Sequence, residues 1–303
     1  MKKNNYSIYV LEYAYVEQYP NSGIINGTHN SGTRKLPYGY ALIRGNGRNI
    51  MVDVGYNHQE YGGYLGDKFG VVNWHSPRDV LAEVGVTPEE IDTVIITHAH
   101  FDHMGNTDAF PNATFYIQER ELSQWIWAMA QPAHMQWMMT GTDPADILRV
   151  VELARDGRLV SLSGNCENIA PGIDVHTAFD THTYGSMWLN VRNDLKSGSD
   201  NNWVLAGDLV YSYENLVEKP VIRNGEVEGT LNLKPVGLAM GNETNLVLSS
   251  DEMLKAVNYQ VKRVIPVHEQ RVTEVFPSRV SDSGLFIAEI TCADDLPSYV
   301  SLA

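Results

Sequence analysis

The sequence predicts an α/β domain in which two β-sheets pack together with helices on their outer faces. Strand-like apolar runs alternate with helical patterns along both halves of the 303 residues. Neither an internal repeat nor a Pro/Ser-rich linker divides the chain. A hydrophobic fraction of 43% is enough for a sizeable core, and 303 residues fit one layered unit. One domain is therefore expected over residues 1–303, with a Trp/Met-rich helical insertion or lid around 120–158.

The elements follow in chain order. The opening MKKNNYSIYVLEYAYV alternates polar and apolar residues and lacks the continuous apolar stretch of a secretion signal, so it reads as a first strand. YGYALIRGNGRNIMVDVG is two apolar runs around Gly45-Asn46-Gly47, a hairpin whose second strand ends at Asp53. Ser76 as N-cap, Pro77 at the first helical position and Gly85 as a stop frame a short helix. TVIITH is a buried strand that delivers His98 at its end, and ATFYIQ is another strand. RELSQWIWAMAQ and DPADILRVVELARDG have helical patterns. SMWLNV and NNWVLAGD read as paired strands joined by the polar RNDLKSGSD. In SSDEMLKAVNYQV, Ser249 and Glu252 form a capping-box pattern that predicts a helix start. RVIPVHE is strand-like and presents His268 at its end.

Composition narrows the function. A formal charge of −15 argues against a nucleic-acid partner and against anionic membrane surfaces. No apolar run reaches the length of a membrane span. The two cysteines, Cys166 and Cys292, lie far apart and fit neither a disulfide scaffold nor a thiolate metal site, so a reducing cytoplasm is expected.

The chemistry concentrates in HAHFDH, residues 98–103. On an extended segment alternate side chains share a face, so His98 and His100 can converge on one ion. Asp102 and His103 follow after a turn and can aim at a second. Four ligands from one loop would crowd a single ion, so two adjacent ions are the easier geometry. Imidazole and carboxylate suit zinc, and also iron or manganese. Further ligand types stand at separate strand ends: His182 in DTHTYGS, Asp208 in VLAGDLVY and His268 in VIPVHE. A carboxylate such as Asp208 can bridge two cations and screen their repulsion. His29, His58, His75, His134 and His176 have no such context and read as ordinary histidines.

The H-x-H-x-D-H segment, the histidine in an H-T-x-G setting, the G-D after an apolar strand and the final histidine resemble the metallo-β-lactamase superfamily. IMVDVG is similar to that family's V-D-x-G strand end. The resemblance runs from about residue 40 to 270 and implies an αββα sandwich with a dinuclear site at one edge of two mixed sheets. By resemblance, His98, His100 and His182 bind one divalent ion and Asp102, His103 and His268 the other. Asp208 bridges them, and Asp53 orients a ligand. The resemblance implies a hydrolase whose nucleophile is a hydroxide held between the ions, with zinc first and iron or manganese as alternatives.

Within that family, GDLVYSYENLVE is similar to the N-acyl homoserine lactonases, where a tyrosine three residues after the bridging aspartate points at the substrate carbonyl; here that residue is Tyr211. LPYGYALIRG also looks like that group. The resemblance makes Tyr211 a donor to the developing oxyanion and Asp102 a proton relay to the leaving alkoxide. The chain departs from the lactonase pattern around His182, where it reads D-T-H-T-Y-G-S, and at the end, where it reads V-H-E. A lactone or ester is the expected substrate. The alternative is a hydrolytic O-demethylase acting on an electron-poor nitroaromatic ether. The Trp/Met-rich SQWIWAMAQPAHMQWMMTG would favour a small apolar or aromatic substrate if it faced the site. Such a stripe is more often core or a dimer surface than a substrate wall, and a homo-oligomer is expected, with a hetero-oligomer left open.

Overall fold

The computed structural model describes residues 3–29 and 31–301. Its strands are β1 (Ser7–Pro20), β2 (Thr33–Gly45), β3 (Arg48–Val52), β4 (Val71–Val72), β5 (Thr93–Ile95), β6 (Thr114–Gln118) and β7 (Leu159–Leu162). They continue with β8 (Cys166–Ala170), β9 (Ile173–Thr177), β10 (Met187–Arg192), β11 (Asn202–Leu205), β12 (Val217–Arg223) and β13 (Glu226–Leu231). The last are β14 (Val264–Ile265), β15 (Ser278–Val280) and β16 (Phe286–Thr291). One mixed sheet has the order β15-β16-β1-β2-β3-β5-β6-β7, with β4 paired to β1. The other has the order β14-β11-β10-β9-β8, and β12-β13 is a separate ribbon. Buried residues of both sheets form one continuous apolar core, with the helices outside, which is the αββα arrangement.

Parallel pairing places the site. Strands β3, β5 and β6 run parallel, as do β11 and β14. Their carboxyl ends therefore open on one edge, where such sheets bind ligands. Asp53 follows β3, the HAHFDH segment follows β5, Asp208 follows β11 and His268 follows β14. His182 lies in the connection from β9 to β10.

Most local expectations match. Asn46 (φ 50°) and Gly47 (φ 74°) supply the positive φ pair of a tight hairpin between β2 and β3. Ser76 caps the helix Pro77–Ala82 by accepting from the Asp79 amide. The first strand departs from the alternating reading, because Ser7–Ala14 are buried on both faces. It lies between β2 and β16 under cover from both sides, and its Glu12 accepts from the Phe286 amide and pairs with Lys35.

The Ser249 cap is incorrect. The helix runs Glu243–Ala256 and is capped by Asn242, whose side chain accepts from the amides of Thr244 and Asn245. Asn242 satisfies two amide donors, so Ser249 falls in mid-helix. The strands β15 and β16 after His268 were not anticipated. They complete the first sheet by pairing β16 with β1, a contact between the two ends of the chain that no local pattern announces.

Candidate metal centre

All the proposed ligand side chains are buried, and they fall into two groups that share one member. His98, His100, His182 and Asp208 form one group, and Asp102, His103, Asp208 and His268 the other. Asp208 divides its oxygens between them. Its Oδ2 lies 3.2 Å from His182 Nε2 and 3.7 Å from His98 Nε2. Its Oδ1 lies 3.1 Å from His103 Nε2 and 3.0 Å from His268 Nε2. Asp102 Oδ2 closes the second group, 3.4 Å from His103 Nε2 and 3.9 Å from His268 Nε2.

The donor set fits cations. His100 Nδ1 stands 2.8 Å from His182 Nε2 and 3.2 Å from His98 Nε2. Nitrogens bonded at about 2.0–2.1 Å to a tetrahedral ion would sit roughly 3.3 Å apart, close to these separations. His103 Nε2 is buried without a hydrogen-bond partner while facing two carboxylates. Burial holds the His98 and His100 imidazoles well below their ordinary pKa, His100 at about 3, so both offer lone pairs. For His103 burial opposes protonation, but Asp208, Asp102 and Asp53 override it and push its pKa up. Burial likewise opposes ionisation of Asp208, and His103 and His268 hold its carboxyl well below the usual range. The carboxylates thus demand positive charge at the point where the second group converges.

The outer nitrogens are fixed by the fold. His268 Nδ1 donates to the Pro37 carbonyl at 2.6 Å, leaving Nε2 for the site. His103 Nδ1 donates to Asp53 at 2.8 Å. Asp53 also accepts from the Thr97 amide (2.7 Å) and hydroxyl (2.8 Å), and the Thr97 oxygen lies 3.0 Å from His98 Nδ1. Asp53 adopts φ 64°, a conformation an aspartate tolerates better than most side chains. Asp53 therefore holds the His103 ring directly and reaches the His98 ring through Thr97. Replacing it by asparagine puts an amide N–H₂ where these donors need an acceptor. Metal titration of Asp53→Asn is expected to show affinity weaker by about ten- to a hundredfold.

Sequence reasoning missed a buried carboxylate, Glu121, in the first turn of the helix Glu119–Met129. Its Oε1 accepts from the Ala99 amide and from Trp125 Nε1, both at 2.8 Å. Its Oε2 accepts from the Thr183 hydroxyl at 2.9 Å and from the Gly185 amide. Gly185 is obligatory, because a Cβ there would stand 2.4 Å from the Glu121 amide nitrogen. The H-T-x-G residues after His182 thus have a structural role, and Ser186, where the chain departs from the lactonase pattern, joins the same network. Thr183 and Ser186 hydrogen-bond each other, and Thr183 and Gly185 bind Glu121. The only local signal for Glu121 was its i,i+4 spacing from Trp125.

Tyr211 is buried between the rings of His268 (centroids 4.9 Å apart) and His182 (5.8 Å). Burial, then the Asp208 charge, push its phenol far up, so it remains a neutral proton donor. Asn215 holds the turn by accepting from the amides of Tyr211 and Ser212. The glutamate of V-H-E acts on the same turn: Glu269 accepts from the Tyr213 amide at 3.0 Å and from Arg271, which also reaches Ser212 and Glu214.

Above these groups is a cavity with His100, Asp102, Asp208, Tyr211 and His268 at its base. Tyr19, Leu36 and Tyr38 form one wall, Phe69 and Phe101 another, and Leu238, Ala239 and Met240 a third. The third wall is pinned beside the metal ligands, since the Met240 amide donates to the His182 carbonyl at 3.0 Å. Of the Trp/Met stretch only Trp137 reaches this cavity, with Thr140 and Gly141 after it. Trp125 is core, Trp127 is exposed, and none of Met129, Met135, Met138 and Met139 lines it. Trp74 lies outside this lining and donates to the Tyr56 carbonyl. Tyr19, Tyr38 and the 238–240 wall are further residues that sequence reasoning missed.

Fold and site together define an αββα protein with a candidate dinuclear metal centre. The chain belongs to the metallo-β-lactamase superfamily, whose sequence profile matches residues 40–268. It is 25% identical over 151 residues to N-acyl homoserine lactonase AiiB of Agrobacterium fabrum, a match that covers 50% of this chain and 51% of that protein. A match to mouse metallo-beta-lactamase domain-containing protein 1 is 31% identical over 117 residues, covering 37% and 45%. The chain thus spans about half the length, or less, of these curated relatives. Among solved structures, a probable metal-dependent hydrolase from Staphylococcus aureus superposes with TM-score 0.62 at 18% identity, over 89% of this chain and 91% of that one. AidC, a dizinc quorum-quenching lactonase, gives TM-score 0.62 at 16% identity over 98% and 97%. At such identities these likenesses establish the fold. Among the described residues no helix is long and apolar enough to cross a membrane.

Proposed function

We propose that the protein hydrolyses a lactone or related ester of a small, uncharged molecule with an apolar or aromatic part. The observation that carries this reading is Tyr211, a neutral phenol at the base of an apolar cavity beside Asp208. A carbonyl bound there would find a donor for the negative charge that develops on its oxygen. The relatives named as lactonases support the same bond.

His98, His100 and His182 would hold one divalent ion, Asp102, His103 and His268 the other, and Asp208 both. Such a pair of ions, zinc in this reading, supplies Lewis acidity and brings the pKa of water from about 15.7 toward neutrality. The chain's own groups do the rest. Tyr211 donates to the developing oxyanion. Asp102, at the cavity base, would take the proton of the hydroxide that has added to the carbonyl carbon and pass it to the alkoxide as the acyl C–O bond breaks. The walls exclude water and hold the apolar part of the substrate. No lysine or arginine lines the cavity among the described residues, so apart from the ions no side chain there is set to pair with a charged group on the substrate.

A second reading rests on the aromatic wall of Tyr38, Phe69, Phe101 and Trp137, which suits a flat ring and hence an electron-poor aryl ether. A panel of uncharged lactones and esters against nitroaryl ethers separates the two. Turnover of lactones or esters, with aryl ethers inert, is the expected result. Faster release of alcohol from the aryl ethers would overturn it.

A further inference from the structure

We propose that Glu121 is the positioning residue for one metal site: it sets the geometry of the ion held by His98, His100 and His182. The inference rests on the two-ion reading and goes beyond it, because Glu121 neither lines the cavity nor belongs to either ligand group.

Two segments that are remote in sequence must meet to build that site. One is His98-Ala99-His100, the other His182-Thr183. Each is an irregular connection outside the strands, since β5 ends at Ile95 and β10 begins at Met187; backbone bonds from Met240, Gly241 and Asn242 hold the His182 segment to the cavity wall, but none joins it to His98-Ala99-His100. Glu121 joins them. One oxygen takes the Ala99 amide, between the two histidines of the first segment. The other takes the Thr183 hydroxyl and the Gly185 amide, immediately after His182. Trp125 Nε1 donates to the first oxygen, and the Trp125 ring lies 5.9 Å from that of His100. A short helical turn thus uses one side chain to fix the spacing of three ligands.

The chemistry requires an ionised carboxylate. Four donors surround the two oxygens, and an ionised carboxylate is acceptor-only. Burial pushes the Glu121 carboxyl up, and the bonds from Trp125, Ala99, Gly185 and Thr183 pull it back in part. Glutamine is nearly isosteric but presents an N–H₂ to half of the donors. The Thr183 hydroxyl can turn to accept from it, whereas an amide N–H cannot. The second group is braced by Asp53, which also reaches His98 through Thr97, and by the Pro37 carbonyl, and Glu121 makes no hydrogen bond to any ligand of that group. The effect of substitution is therefore confined mainly to one ion.

The test is a metal titration of metal-free wild type and Glu121→Gln with Zn²⁺ and with Co²⁺, whose visible bands report the ligand field, alongside urea unfolding of the metal-free proteins. Wild type is expected to take two ions. Glu121→Gln is expected to bind one of them about ten- to a hundredfold more weakly, with altered Co²⁺ bands, and to keep the other within about threefold. Equal weakening of both ions overturns the proposal, as does lower urea stability with unchanged metal binding, which would make Glu121 merely structural. If Glu121→Gln does not fold, Thr183→Val removes a single donor and must weaken the same ion. An unchanged titration for that variant also overturns the proposal. A wild type that takes fewer than two ions refutes the dinuclear reading instead.

Discussion

Asp208→Asn is expected to lose at least one of the two ions and about a thousandfold in turnover. Asp208 alone belongs to both ligand groups, with Oδ2 toward His182 and His98 and Oδ1 toward His103 and His268. An asparagine keeps the volume but offers one acceptor oxygen and no charge. Two cations placed side by side then lose the anion that screens them. The ions' stabilisation of the reaction is worth several kcal/mol, and about 4 kcal/mol corresponds to a thousandfold. Metal analysis and the rate on the best substrate of the panel should fall together. A variant that kept two ions and its rate would remove Asp208 from the bridging position.

Tyr211→Phe should separate chemistry from metal binding. The phenol is held by its turn, where Asn215 accepts from the amides of Tyr211 and Ser212, and by packing against His182 and His268. Phenylalanine preserves that packing. Metal content is expected to remain at the wild-type value while kcat falls about a hundredfold, the usual cost of one lost oxyanion donor. A fall in KM-related binding alone, with kcat intact, would assign Tyr211 to the cavity wall instead.

The sequence alone was sufficient for the fold class and for the groups of the candidate centre. Metal ligation needs particular residue types in a particular order. HAHFDH, His182, Asp208 and His268 stand at strand ends that apolar runs make visible, and parallel pairing then brings those ends to one edge. Asp53 was legible for the same reason, because it ends a strand that lies beside the one leading to His98. What surrounds the centre was not legible. Glu121 looks like any acid in the first turn of a helix until β6 carries that helix to the loop after β9. Tyr19 and Met240 come from segments with no chemical signature and Tyr38 from one marked only by its likeness to the lactonases, and each reaches the cavity only through packing. The Trp/Met stretch divides among core, cavity and solvent in Trp125, Trp137 and Trp127, a partition set by which face of each helical turn meets the sheets. Ligand identity is local chemistry and is written in the order of residues. The braces and walls depend on distances between remote segments, which only the tertiary structure decides.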